Sequence, residues 1–120
     1  MEKEFVLYEQ ALALKELGFD EPCFAYFKDE EFQYPNPYEP FKNSEMKSWC
    51  ITAPLYQQSF RWFREKYGLK FYIRQDIWNH WCSIIMISKD GEYAGLDDYD
   101  TYQEAELECL KKLIEIVKTK

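Results

Sequence analysis

The spacing of apolar residues changes along the chain, and each change marks an element. Leu7, Ala11 and Leu14 recur at helical spacing with Leu17 one turn on, so residues 8–17 are expected to form a helix with one buried stripe. Gly18 follows as the left-handed residue that ends such a helix, and Phe19 can fold back on its last turn. A second helix is expected over residues 54–67. Thr52 or Ala53 caps it, Pro54 suits its first turn and Gly68 closes it. Tyr56, Phe60, Phe63 and Tyr67 share one of its faces, and Trp62 falls about 100° or more away from them. Trp62 is therefore either sandwiched by a second layer or partly exposed. A third helix is expected over residues 102–118, where Thr101 and Glu104 stand at the spacing of a capping box. Tyr102, Ala105, Cys109, Leu110, Leu113, Ile116 and Val117 form its apolar face; Glu104, Glu108, Lys111, Glu115 and Lys118 form the other.

Between the helices the period shortens to that of strands. Residues 23–28 and 31–34 flank Asp29-Glu30, which reads as a hairpin turn. Residues 69–74 alternate, with Leu69, Phe71 and Ile73 inward and Lys70, Tyr72 and Arg74 outward. Residues 81–88 are apolar on both faces and belong in the centre of a sheet. Asp90-Gly91, within the turn 89–92, precedes a short return strand at Tyr93. Pro35, Pro37 and Pro40 make residues 34–48 an extended surface loop. The expected architecture is one α+β domain over residues 1–120, with three helices packed on an antiparallel sheet in the order αββαβββα. The first two helices open alike and both end at a glycine before a strand, so a duplicated αββ unit is an alternative reading.

Composition narrows the class. With 47% hydrophobic residues and 23 aromatics among 120 residues, the chain can bury enough surface to offset its ordering entropy. It has no apolar run long enough for a membrane helix. Its start, Met1-Glu2-Lys3-Glu4, lacks a secretory signal, so a cytoplasmic setting and no membrane partner are expected. Cys23, Cys50, Cys82 and Cys109 contain no C-x-x-C pair and lie among apolar neighbours, as reduced, mostly buried thiols do.

A search for chemistry returns little. The single histidine, His80, sits in Trp78-Asn79-His80-Trp81 at a strand edge, with no nucleophile indicated beside it. The acids Asp97, Asp98 and Asp100 do not have the spacing of a calcium loop and read as a solvated lead-in to a helix. The four glycines sit at element ends, so no phosphate cradle is formed. No metal site, cofactor or catalytic set is expected.

Charge is more informative. The formal net charge of −7 disfavours general duplex binding. It is distributed unevenly: five bases face one acid between Arg61 and Arg74, and eight acids with no base fill the stretch from Asp90 to Glu108. Arg61, Trp62, Arg64, Lys70, Tyr72 and Arg74 thus form a candidate basic aromatic patch, and Trp78, His80 and the acids Asp97, Asp98 and Asp100 extend the list of candidate partner-contact residues. Arginine with aromatics suits protein interfaces and also single-stranded nucleic acid.

Three stretches carry a resemblance. Residues 8–19 (Tyr-Glu-Gln-Ala-Leu-Ala-Leu-Lys-Glu-Leu-Gly-Phe), residues 53–69 (Ala-Pro-Leu-Tyr-Gln-Gln-Ser-Phe-Arg-Trp-Phe-Arg-Glu-Lys-Tyr-Gly-Leu) and the start of the third helix, Thr101 to Leu107 with Leu110 to Ile114, resemble a family of small uncharacterised proteins found in bacterial prophages and mobile elements. The family supplies no activity or site residue. The phage setting it implies points to a non-enzymatic accessory protein that binds a protein partner. The more specific form is an inhibitor of a host nucleic-acid-guided defence nuclease, an anti-CRISPR-like protein whose acidic surfaces would meet a basic channel. The alternatives are a single-stranded nucleic-acid-binding module using the basic aromatic patch and, last, a small enzyme built on His80 with a spatially adjacent Cys or Asp. Exposed aromatics also permit a homodimer.

Overall fold

A computed structural model describes residues 2–34, 40–86, 93–95 and 99–119 of the chain. The turn at 89–92 and the acids Asp97 and Asp98 lie outside the described residues. The fold is α+β, as expected. Its order is α1 (Tyr8–Glu16), β1 (Ala25–Lys28), β2 (Glu31–Gln33), β3 (Cys50–Ala53), α2 (Tyr56–Tyr67), β4 (Lys70–Gln75), β5 (Trp81–Met86), β6 (Tyr93–Gly95) and α3 (Tyr102–Lys118). All pairing is antiparallel, but the strands divide between two sheets, β2-β1-β3 and β4-β5-β6, where the sequence suggested one. The chain clusters into two compact units, Met1–Ser59 and Phe60–Lys120, divided within α2.

In the first unit α1 ends as its sequence dictates. Gly18 takes φ +97°, the Phe19 N–H donates to the Leu14 carbonyl at 2.9 Å, and the Gly18 N–H donates to Lys15 at 3.0 Å. That is a complete Schellman closure. The buried stripe, however, is Gln10, Ala11 and Leu14. Leu7 stands at the N-cap and is 53% exposed, while Phe5 and Val6 just before it enter the core. The turn at Asp29-Glu30 forms with φ +52° and +70°, the primed hairpin geometry that suits strand twist. The rings of Phe27, Phe32, Phe5 and Tyr34 follow one another in contact at centroid distances of 5.3–5.7 Å.

The added strand is β3. Thr52 and Ala53, expected as helix caps, pair with Tyr26 and Ala25 instead, and α2 starts only at Tyr56. Every residue of β3 is buried, so no alternation betrayed it. The described part of the 34–48 segment is also more ordered than a surface loop. Phe41 and Cys23 exchange backbone hydrogen bonds at 2.6 and 2.7 Å, and residues Asn43–Glu45 form a 3₁₀ turn. The buried Asn43 amide donates to the Phe19 carbonyl and accepts from the Thr52 N–H, both at 2.9 Å. One side chain thus ties the end of α1 to β3.

In the second unit the predicted face of α2 is present. Phe60 and Phe63 are fully buried, and the Phe60 ring lies 4.4 Å from Phe71 of β4. Gly68 takes φ +66° and donates to the Arg64 carbonyl at 3.1 Å, a simpler helix closure than that of α1. α3 packs on β5 and buries Ala105, Cys109, Leu110, Leu113, Ile114 and Val117. Thr101 Oγ1 accepts from the Glu104 N–H at 3.1 Å, the first arm of the expected cap.

Candidate functional site

The alternation of β4 places Phe71 and Ile73 on the half-buried side and Lys70, Tyr72 and Arg74 in solvent. Unbroken register with β5 sets Tyr72 opposite Ile84 and Arg74 opposite Cys82, so these four share the outer face. Tyr72 is 49% exposed there. Hydrogen bonding with Cys82 raises the pKa of the Arg74 guanidinium, which stays charged.

At the end of this hairpin, residues 76–80 turn around one carboxylate. Asp76 Oδ1 accepts from the Trp78 and His80 N–H groups, both at 2.9 Å. The Asp76 N–H donates to the His80 carbonyl at 2.8 Å, and the Asn79 N–H donates to the Asp76 carbonyl at 3.2 Å. Asn79 takes φ +65°, a conformation that asparagine tolerates. The His80 amide does most to hold the Asp76 carboxyl below its usual range; burial opposes it, and the Trp78 amide and the His80 and Arg74 charges add smaller lowering effects. From this hydrogen-bonded turn Ile77 and Trp78 project outward, 86% and 71% exposed. Two large apolar side chains on a hydrogen-bonded turn are well placed to anchor in another molecule.

The other candidates fall in different places. Arg61 and Arg64 are exposed on α2. Trp62 is only 5% exposed: its ring packs edge-on to Phe63 and Tyr67 at 5.1 and 5.4 Å, and Lys66 Nζ sits 5.1 Å from it. It is a core residue and leaves the candidate patch, because α2 buries a wider arc than one stripe. His80 Nδ1 lies 3.8 Å from Asp76 Oδ2, beyond hydrogen-bond reach, with its side chain 45% exposed. Its backbone helps to build the tip. Asp100 is exposed just before α3. Ile77 and Asp76 were not singled out by sequence reasoning. A turn signal was there: an Asp three residues before an Asn, between two expected strands, is turn chemistry.

The first unit carries a shallow depression of about 370 Å³, lined by Tyr26, Lys28, Phe41, Met46, Lys47 and Trp49 among others. All four cysteines are free. Burial pushes the Cys23 and Cys109 thiols up to about 12, opposed in part by the neighbouring hydroxyls of Thr52 and Ser83 respectively. Among the described residues no three His, Cys, Asp or Glu side chains gather to hold a metal, and no helix is long and apolar enough to cross a membrane. Set against protein-family models, curated proteins and solved structures, the chain finds no match in any of the three.

Proposed function

We propose that this chain is a non-enzymatic binding protein that engages a protein partner through the β4–β5 hairpin. The observation that carries the reading is the Asp76-centred tip, which holds Ile77 and Trp78 in solvent at 86% and 71% exposure. Burying two such side chains in a partner's pocket contributes roughly 1.5–3 kcal/mol each, and a pre-ordered turn lowers the entropic cost of docking. The resemblance to prophage and mobile-element proteins gives the reading its specific form: a cytoplasmic accessory protein that inhibits a host nucleic-acid-guided nuclease. The test is affinity purification from host cells with the wild type and with an Ile77→Ser/Trp78→Ser variant, alongside a nuclease interference assay. A partner recovered by the wild type and lost with the variant supports the proposal; equal recovery by both sinks it.

A second reading is favoured by the row Lys70-Tyr72-Arg74, an exposed aromatic between two cations on one sheet face. Single-stranded nucleic acid stacks and pairs on such rows. Salt-sensitive binding of labelled oligothymidylate, lost in Tyr72→Ala, would support it.

A further inference from the structure

A sheet edge presents backbone N–H and C=O groups that can pair with a further strand, and natural proteins usually shorten, twist or cover such edges. Among the described residues, three of the four sheet edges are short or covered. β2 and β6 are each three residues long. Beside the end of β3, Phe5 bridges Leu55 and the Val6 N–H donates to the Pro54 carbonyl at 2.9 Å. β4 differs. It runs six residues, pairs with β5 without a bulge and contains no proline. Among the described residues no strand pairs with its outer side.

The side chains on this edge indicate what it would accept. Lys70 and Arg74 flank Tyr72 on the solvent face at alternate positions. A strand laid beside β4 would set its own alternate residues opposite those three. The matching order is acid, apolar or aromatic, acid. A second copy paired about Tyr72 would instead set Lys70 against the other copy's Arg74, a like-charge contact that costs energy. Phosphate would satisfy the cations but not the row of backbone groups. The chain's net charge of −7 opposes an acidic ligand at long range, but acids more than about 8 Å away are largely screened at physiological salt. The local cations therefore set the choice.

We infer that the β4 edge takes up an extended acidic segment of a partner protein as an added strand, its carboxylates paired with Lys70 and Arg74 and an apolar side chain laid on Tyr72. This rests on the protein-binding reading and names the chemistry of the partner. Main-chain hydrogen bonds supply affinity in such strand addition, and the alternate side chains supply selectivity.

The test uses the full chain and a fluorescein-labelled peptide reading Glu-Val-Phe-Ile-Glu, followed by anisotropy and by amide exchange. The expected result is saturable binding, with slowed exchange at outward-facing amides within Lys70–Gln75. A peptide with proline at its centre, or with lysine in place of both glutamates, should bind roughly tenfold more weakly. Charge reversal in a Lys70→Glu/Arg74→Glu variant should transfer the preference to the lysine peptide. Equal binding of all three peptides overturns the inference, as does protection confined to other strands. Protection of β4 by oligothymidylate but not by peptide overturns it too, as does concentration-dependent self-association that protects β4 without peptide. The Ile77→Ser/Trp78→Ser variant separates the two proposals. Failure of the peptide alongside tip-dependent partner capture sinks strand addition alone, and loss of tip-dependent capture sinks the broader reading.

Discussion

The two units share an inventory, one sheet of three strands and a helix closed by glycine, and they use it to different ends. In the first, the middle strand β1 is the first in sequence; in the second, the middle strand β5 is the second. The repeated αβββ order is therefore not a repeated topology, which removes the support for a duplicated unit. The first unit uses polar side chains as ties within its own chain: buried Asn43 joins α1 to β3, and at the surface Asp20 Oδ1 accepts from the Ser44 N–H at 2.7 Å. The second places the equivalent chemistry at its rim, where Asp76 holds a hairpin tip in solvent. A carboxylate that accepts backbone amides can thus lock a fold or present a binding element, depending only on what lies beyond the turn.

The largest test of this contrast is in the cores, where the units should behave alike. Leu14→Ala and Leu113→Ala each remove a fully buried side chain and should each cost about 2–5 kcal/mol in urea denaturation. A cost below 1 kcal/mol at either site would show that one unit contributes little to stability. Next comes the inward tie. Asn43→Ala strands the Phe19 carbonyl and the Thr52 N–H, at about 1–3 kcal/mol in the same assay. The helix closures follow. A Cβ at Gly68 would meet nothing within 4 Å, so the cost of Gly68→Ala is conformational alone, about 1–2 kcal/mol. Gly68→Asn should recover part of it.

The smallest effects separate the two aspartates. Both Asp20 and Asp76 are held below the usual carboxylate range by amide donors, Ser44 for the first and chiefly His80 for the second. Each therefore stabilises its turn above the ordinary carboxylate pKa of about 3.9, and the effect is lost as pH falls through the lower folded value. Asp76→Asn should speed amide exchange at Trp78 and His80 roughly tenfold at neutral pH and leave the Ser44 amide unchanged. Equal acceleration at Ser44 would show that the two turns are coupled.

Elements defined by local chemistry were legible. The turn glycines Gly18 and Gly68, the hairpin at Asp29-Glu30, the outward row Lys70-Tyr72-Arg74 and the threonine cap of α3 stand where the sequence placed them. Elements defined by tertiary burial were not. Residues Cys50–Ala53 followed by proline look like a helix approach, and only pairing with β1 makes them a strand. Trp62 lay off the aromatic stripe, yet it is buried, because α2 buries an arc wider than the single stripe that its spacing predicts. Of the candidate site, the charges and Trp78 could be read directly. Asp76 was legible only as a turn former, because its hydrogen bond to the His80 amide depends on the chain returning to it.

The Asp76 turn also has an evolutionary meaning. Its conformation is fixed by the carboxylate of Asp76, the backbone of His80 and the left-handed Asn79. Neither Ile77 nor Trp78 contributes a side-chain hydrogen bond to it among the described contacts. Those two positions can therefore change identity under selection without disturbing the hairpin that carries them. A lineage pressed to follow a changing target could alter its specificity there while the rest of the chain kept its fold.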